Sequence, residues 1–176
     1  QVAQRLMDDI IDLELEMIDK LIAKIESDPE PEEVKAIELN LWKKIRKTCV
    51  RGRRTGLGLT AIGDAIAAFN VVYGTEESVE VIEKIYKVLA INSYRSSIDM
   101  AKERGPFEAW NYETEKDHPF INRIMEAEPS LVSDWKKYGR RNIANTTTAP
   151  AGSVSICTQT TSGIEPVFSL SYKRRK

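Results

Sequence analysis

Histidine occurs once in this chain and cysteine twice, and no apolar run approaches the roughly 18 residues that a membrane-spanning helix needs. A single histidine, His118, sits far from the acidic residues near the N-terminus. That separation excludes a metal centre of the Glu-x-x-His kind, which needs carboxylates and histidines on facing helices. The two cysteines, Cys49 and Cys157, form neither a C-x-x-C pair nor a disulfide framework. Both read as small, half-buried side chains in a reducing, cytoplasmic setting. An excess of either charge is missing too. The 26 basic and 27 acidic residues leave a net charge of -1, so nothing global draws the chain to nucleic acid or to a membrane. The N-terminus has no basic-then-apolar leader, and no repeat or low-complexity tract is present.

What is present is helical periodicity. A length of 176 residues suits one domain burying roughly 70% of its unfolded surface. Residues 2–26 carry a wide apolar stripe through Ala3, Met7, Ile10, Met17, Leu21 and Ile25, with Leu6, Ile11, Ile18 and Ile22 beside them, while Asp8, Asp9, Asp12, Glu14, Glu16 and Asp19 predict a solvated acidic face. Asp28-Pro-Glu-Pro stops that helix, and Pro31 suits the first turn of a second. Val34, Ile37, Leu41, Ile45 and Cys49 give the second helix its expected buried face, with Trp42 at the core or its rim. Glycines at 52, 56 and 58 among three arginines match no Walker or G-x-G-x-x-G loop. Thr75 caps a long helix reaching Arg104, ended by Gly105 and Pro106. Short helices follow around Phe120 to Ala127 and from Ser130 to Tyr138. His118 reads as a surface or capping residue. Both chain ends look cut, which implies a piece of a longer polypeptide.

The stretch with the most chemistry is GRRNIANTTTAPAGSVS, Gly139 to Ser155. Ile143 to Thr148 is uncharged and rich in β-branched residues, which predicts a strand covered on both faces. Ala149, Pro150, Ala151 and Gly152 cannot extend it, and Ser153 and Ser155 fall where a new helix leaves its first N–H groups unpaired. Such a turn is either an ordinary capped connection or a cradle for phosphate. A last strand is expected in the VFSLSY run, and the basic end, Lys173 to Lys176, is read as an exposed tail.

That stretch, followed by SGIEPVFSLSYKRR, resembles the C-terminal half of the catalytic subunit of ribonucleotide reductases. It is most similar to the adenosylcobalamin-dependent branch, whose corresponding residues run roughly APTGTIS…SSGIEPVF. The blocks GRRTGLGLTAIGDAIAA at 52–68 and YRSSIDMAKERGPF at 94–107 agree with it in the same order, and the resemblance implies that the first leads into a barrel helix, Ala61 to Phe69, with its glycines allowing close backbone packing. The resemblance implies an α/β fold: residues 1–176 as a helix-rich portion, with few strands, of a single ten-stranded α/β barrel domain. It implies a part of an enzyme that converts ribonucleotides to deoxyribonucleotides by thiyl-radical chemistry. Adenosylcobalamin is the implied cofactor of the full enzyme, with a di-iron radical partner subunit as the alternative, and none is expected to bind this stretch alone. The implied partners are a ribonucleoside di- or triphosphate, the remaining half of the reductase and a thioredoxin-type reductant. The Asn-x-Cys-x-Glu motif of the radical cysteine does not occur here, so no catalytic residue is assigned and the chain is expected to be inactive alone. The phosphate-binding role falls on Ala151, Gly152, Ser153, Val154 and Ser155. Ala151 stands where the cobalamin-dependent pattern has Thr, which removes one hydroxyl. The rival reading is a helical protein-interaction module without catalytic activity.

Overall fold

The apolar periodicities become helices nearly where they are expected. The computed structural model describes residues 1–171 and 173. In chain order they form α1 (Val2–Ser27), α2 (Glu32–Gly52), α3 (Ile62–Ala68), α4 (Glu76–Arg104), α5 (Tyr112–Glu115), α6 (Pro119–Ala127), a 3-10 turn at Pro129–Leu131, α7 (Val132–Tyr138) and α8 (Gly152–Thr158). Two compact units result. One contains Gln1–Leu57 and Ala90–Thr146, the other Gly58–Leu89 and Thr147–Lys176. No helix among the described residues is long and apolar enough to cross a membrane.

The expected α/β architecture is not what forms. No strand occurs among the described residues; the extended chain makes one isolated parallel bridge, Leu57 to Thr146. Ile143 to Thr148 was expected to be buried on both faces, yet Thr147 and Thr148 are exposed. The segment pairs only briefly, with Ile143 N–H donating to the Gly52 carbonyl, Thr55 N–H to Ala144 (2.9 Å) and Leu57 N–H to Asn145 (2.8 Å). A ladder needs a neighbour that stays alongside, and no second extended run lies beside either segment for long enough. The expected last strand is also absent. Val167, Phe168 and Leu170 are exposed in a bent chain, and Tyr172 lies outside the described residues. Lys173 is exposed, while Arg174, Arg175 and Lys176 are also outside the described residues.

In the first unit α1 and α2 pack as a helical pair. The face α1 buries runs Gln4, Asp8, Ile11, Ile18 and Ile25, with Leu15 and Ile22 half-buried, a seven-residue repeat that keeps Ile11, Ile18, Ile22 and Ile25 of the wide expected stripe. Leu6, Ile10, Leu13 and Met17 are exposed instead. The second helix departs further. Val34, Ile37, Leu41 and Ile45 face solvent, and the half-buried line is Lys35, Leu39, Trp42, Arg46 and Cys49. Arg46 reaches Asp19 at 2.6 Å and Lys43 reaches Glu26 at 3.5 Å. The apolar core lies elsewhere in the unit: Tyr94 and Ile98 of α4 pack with Ile121, Ile124 and Met125 of α6, Leu131 and Trp135. Glu115 is buried beside them, accepting bonds from Trp110 (2.9 Å), Trp135 (2.7 Å) and the Arg140 guanidinium.

Asp8 was assigned to a solvated acidic face, but it is fully buried. Its Oδ1 accepts from Arg53 Nε and from Asn142 Nδ2, both at 2.8 Å, and its Oδ2 faces Arg141 Nε at 3.3 Å. Gln4, also fully buried, donates to Thr55 and to Asn142 and accepts from Ser93. Arg53 caps α2 with a left-handed φ of 44°. A non-glycine residue there costs on the order of 1–3 kcal/mol. Burial alone would raise the Asp8 carboxyl, but hydrogen bonds from Arg53 and Asn142 and the charges of Arg53 and Arg141 outweigh it, and the net is a depressed pKa. Glu115 follows the same balance, held down chiefly by Arg140 against its burial.

Asp8→Ala is expected to destabilise the fold by about 3 kcal/mol in chemical denaturation, the low end for breaking a buried pair, because Arg53 and Arg141 lose their buried partner and Arg53 keeps only the half-exposed Asp12. The wild-type chain should hold the stability these two carboxylates contribute at neutral pH and begin to lose it near pH ~4, where unfolded carboxyls take up protons; the loss continues as pH falls through the depressed folded values. Equal midpoints for Asp8→Ala and wild type at pH 7 would refute the assignment.

Candidate functional site

The loop proposed from sequence belongs to the second unit, and hydrogen bonding divides its five residues into two groups. Ala151 N–H donates to the Ser162 carbonyl at 2.8 Å, and Ser155 N–H donates to Ala151 at 2.8 Å within the new helix. The Ser155 hydroxyl turns inward to the Gly152 carbonyl at 2.9 Å, and Ser155 is buried. Two of the expected donors are therefore already engaged by the protein. Gly152, Ser153 and Val154 differ. All three are exposed, and their N–H groups find no acceptor among the described residues. These are the first-turn amides that any helix leaves unpaired. A methyl group added at Gly152 would meet nothing within 4 Å, so the space beside Gly152 is open.

The loop is set from behind by the segment that follows α8. Thr161 N–H and its hydroxyl both reach Asp64 Oδ2, at 2.8 and 3.2 Å. The carbonyls of Thr161 and Gly163 accept from Ala61 and Ile62 N–H, at 3.1 and 3.3 Å, at the start of α3. Ser162, held between them, supplies the carbonyl that fixes Ala151. Glycine is required twice for this. A Cβ on Gly63 would lie 2.6 Å from Pro166 Cα, and one on Gly58 would lie 2.7 Å from the Thr147 carbonyl. Close packing was the expected role of the 52–58 glycines. Asp64 was not singled out from sequence, although an acid in the first turn of a short helix is a recognisable signal.

The acidic residues of α1 form a second cluster, in the first unit. One carboxylate oxygen each from Asp8, Asp9 and Asp12 lie within 4.8 Å of one another. The set does not fit a cation, because guanidinium groups already occupy it: Arg53 reaches Asp8 and Asp12 at 2.8 Å each, and Arg104 reaches Asp9 at 2.7 Å. His118 is exposed and precedes α6 as its cap without a side-chain cap bond. Cys157 is exposed rather than buried or half-buried as expected; Cys49 is half-buried, its thiol pushed up by burial and by nearby Glu14.

With this geometry in place, similarity to known proteins adds the family. A family model described as "Ribonucleotide reductase, barrel domain" matches residues 29–176. A vitamin B12-dependent ribonucleoside-diphosphate reductase of Thermoplasma acidophilum is 31% identical over 134 residues, covering 75% of this chain and 15% of the relative. One of the same name from Mycobacterium tuberculosis is 29% identical over 122 residues, 69% of this chain and 15% of the relative. A ribonucleoside-diphosphate reductase subunit alpha of Helicobacter pylori is 27% identical over 150 residues, 75% and 19% respectively. The chain thus spans less than a fifth of the length of these relatives.

Asp64→Ala should loosen the support behind the loop. Amide hydrogen exchange at Ala151 is expected to accelerate roughly tenfold, the equivalent of one or two lost hydrogen bonds. Unchanged protection at Ala151 would show that Asp64 does not hold the loop.

Proposed function

The chain belongs to the ribonucleotide reductase family, and from that membership we propose that it serves the reduction of ribonucleotides to deoxyribonucleotides. Its contribution is to hold the phosphate groups of the substrate, a ribonucleoside diphosphate as in the names of the relatives. The observation that carries this role is the set of three outward amides at Gly152, Ser153 and Val154, with open space before Gly152. The Ser153 hydroxyl adjoins them; Ala151 and Ser155 act as the frame rather than as donors. An anion at an exposed helix start gains about 0.3–1 kcal/mol from the local dipole, and charge-assisted hydrogen bonds add to that. Fixing the phosphate orients the ribose, where an error of about 1 Å can cost on the order of 10²-fold in rate.

The thiyl-radical cysteine, and the thioredoxin-type reductant that would restore it, are assigned to the longer polypeptide, since no Asn-x-Cys-x-Glu motif occurs in this stretch. These 176 residues alone are accordingly inactive. Adenosylcobalamin is proposed as the radical generator of the complete enzyme on the names of two relatives. The residues described here offer it no ligand set: His118 stands exposed and the α1 carboxylates are held by arginines, so no step is derived through it. The same occupied carboxylates do not fit a di-iron centre. A second reading, a non-catalytic interaction module, is favoured by the exposed apolar residues of α1 and α2, Leu6, Leu13, Ile37 and Leu41 among them.

Gly152→Asp in the complete reductase tests the loop. The new side chain has room, so its effect is electrostatic rather than steric. The Michaelis constant for the nucleotide is expected to rise at least about tenfold, a loss of roughly 1.4 kcal/mol of binding, with Gly152→Ala close to wild type. An unchanged Michaelis constant in Gly152→Asp would overturn the phosphate role. Turnover by the 176-residue chain alone would overturn the assignment of the radical cysteine elsewhere.

A further inference from the structure

A cleft in the first unit is used by nothing described above. It opens beside the C-terminal half of α2, and its walls are apolar: Ile11 of α1, Ile45 of α2, Ala109 and Ile143. Cys49 lines it as well. Its volume is about 640 Å³, inside the roughly 300–1,000 Å³ range of small-molecule sites. Three cations edge it, Lys44, Arg51 and Arg54, all exposed. None of the three forms an ion pair among the described residues, whereas their neighbours Lys43, Arg46 and Arg53 hold Glu26, Asp19 and Asp8. The one carboxylate among the lining residues is Glu14, whose Oε2 lies 4.0 Å from the Cys49 sulfur. The lining residues therefore carry a net charge of +2, against a chain whose overall charge is -1.

We propose that this cleft binds an amphipathic organic anion, with an aromatic or aliphatic body against Ile11, Ile45 and Ile143 and a carboxylate or sulfonate-type head at Arg51, Arg54 and Lys44. Two physical requirements select this class. A neutral apolar molecule would leave the three cations unanswered, and inorganic phosphate would leave the isoleucine walls wet. The paired demand is for apolar area and one anionic head in a single small molecule, the usual division of labour in a binding cleft. Arginine suits the head group because its planar fork bonds two oxygens at once.

The test uses the whole chain carrying Cys157→Ser, so that Cys49 is the single thiol. The probes are 8-anilinonaphthalene-1-sulfonate and its uncharged analogue N-phenyl-1-naphthylamine. The sulfonate is expected to slow maleimide alkylation of Cys49 at least about fivefold at saturation, while the neutral analogue protects it little. Arg51→Ala combined with Arg54→Ala should weaken sulfonate binding by about tenfold, the loss expected of charge-assisted contacts. Lys44→Glu, a second variant, should weaken it comparably. All three positions are exposed, so the helical circular dichroism should not change. Failure of the sulfonate to protect Cys49 would overturn the proposal. So would equal affinity for both probes, or sulfonate binding unaffected by the variants, since each result would place the probe on the exposed helix faces instead.

Discussion

A single buried carboxylate sets the first unit. Asp8 has no access to water, and one of its oxygens accepts from both Arg53 and Asn142 while the other faces Arg141. Three stretches far apart in sequence thus share one charge: α1, the end of α2, and the extended run after α7. An enclosed ion pair is a poor source of net stability compared with apolar packing, yet removing one partner is costly. That asymmetry makes the arrangement a constraint on register. α1 cannot rotate toward its more apolar stripe without withdrawing Asp8 from Arg53, and its Leu6, Ile10, Leu13 and Met17 remain outside as a consequence. Gln4 extends the network to Thr55 and Ser93, so one helical turn of α1 is committed to polar partners.

In the second unit the governing quantity is which main-chain donors are already used. Prolines and helix geometry leave the start of α8 with unpaired amides, but the protein answers two of the five candidate positions itself. Ala151 is tied to Ser162, and Ser155 closes the first turn onto Ala151 and Gly152. What remains is a row of three exposed amides with no acceptor among the described residues. The proposed site is thus smaller than the five residues expected from sequence, and Ala151, tied to Ser162 beside the Thr161–Asp64 contact, frames it.

Helix positions were legible because each rested on local chemistry. Thr75 was expected to cap α4, and its hydroxyl does accept the Ser78 N–H at 3.3 Å. Pro119 opens α6, and Gly139 follows the end of α7 at Tyr138. Which face each helix buries was less legible: on α1 Ile11, Ile18, Ile22 and Ile25 of the expected stripe turn inward and Leu6, Ile10 and Met17 do not, while on α2 most of the expected line faces solvent. Both α1 and α2 carry two adjacent stripes at helical spacing, and periodicity alone does not say which one a distant segment will cover. On α2 the covered line includes Lys35 and Arg46, whose long stems pack while their charges reach Glu32 and Asp19. Asp8 was misplaced for the same reason, since Arg53 and Asn142 lie 45 and 134 residues away. The extended segment was misread as a strand because β-branched composition reports a tendency to extend, whereas a sheet also needs a neighbour that continues beside it.

Family membership and the loop's geometry meet in one physical claim: three amides past Pro150 are free to receive an anion. Amide chemical shifts of the ¹⁵N-labelled 176-residue chain, followed as pyrophosphate is added, test it most directly. The account predicts saturable shifts at Gly152, Ser153 and Val154, with Ala151 and Ser155 moving much less. Shifts confined to the arginines around Gly52, or no saturable change at residues 152–154, would contradict it.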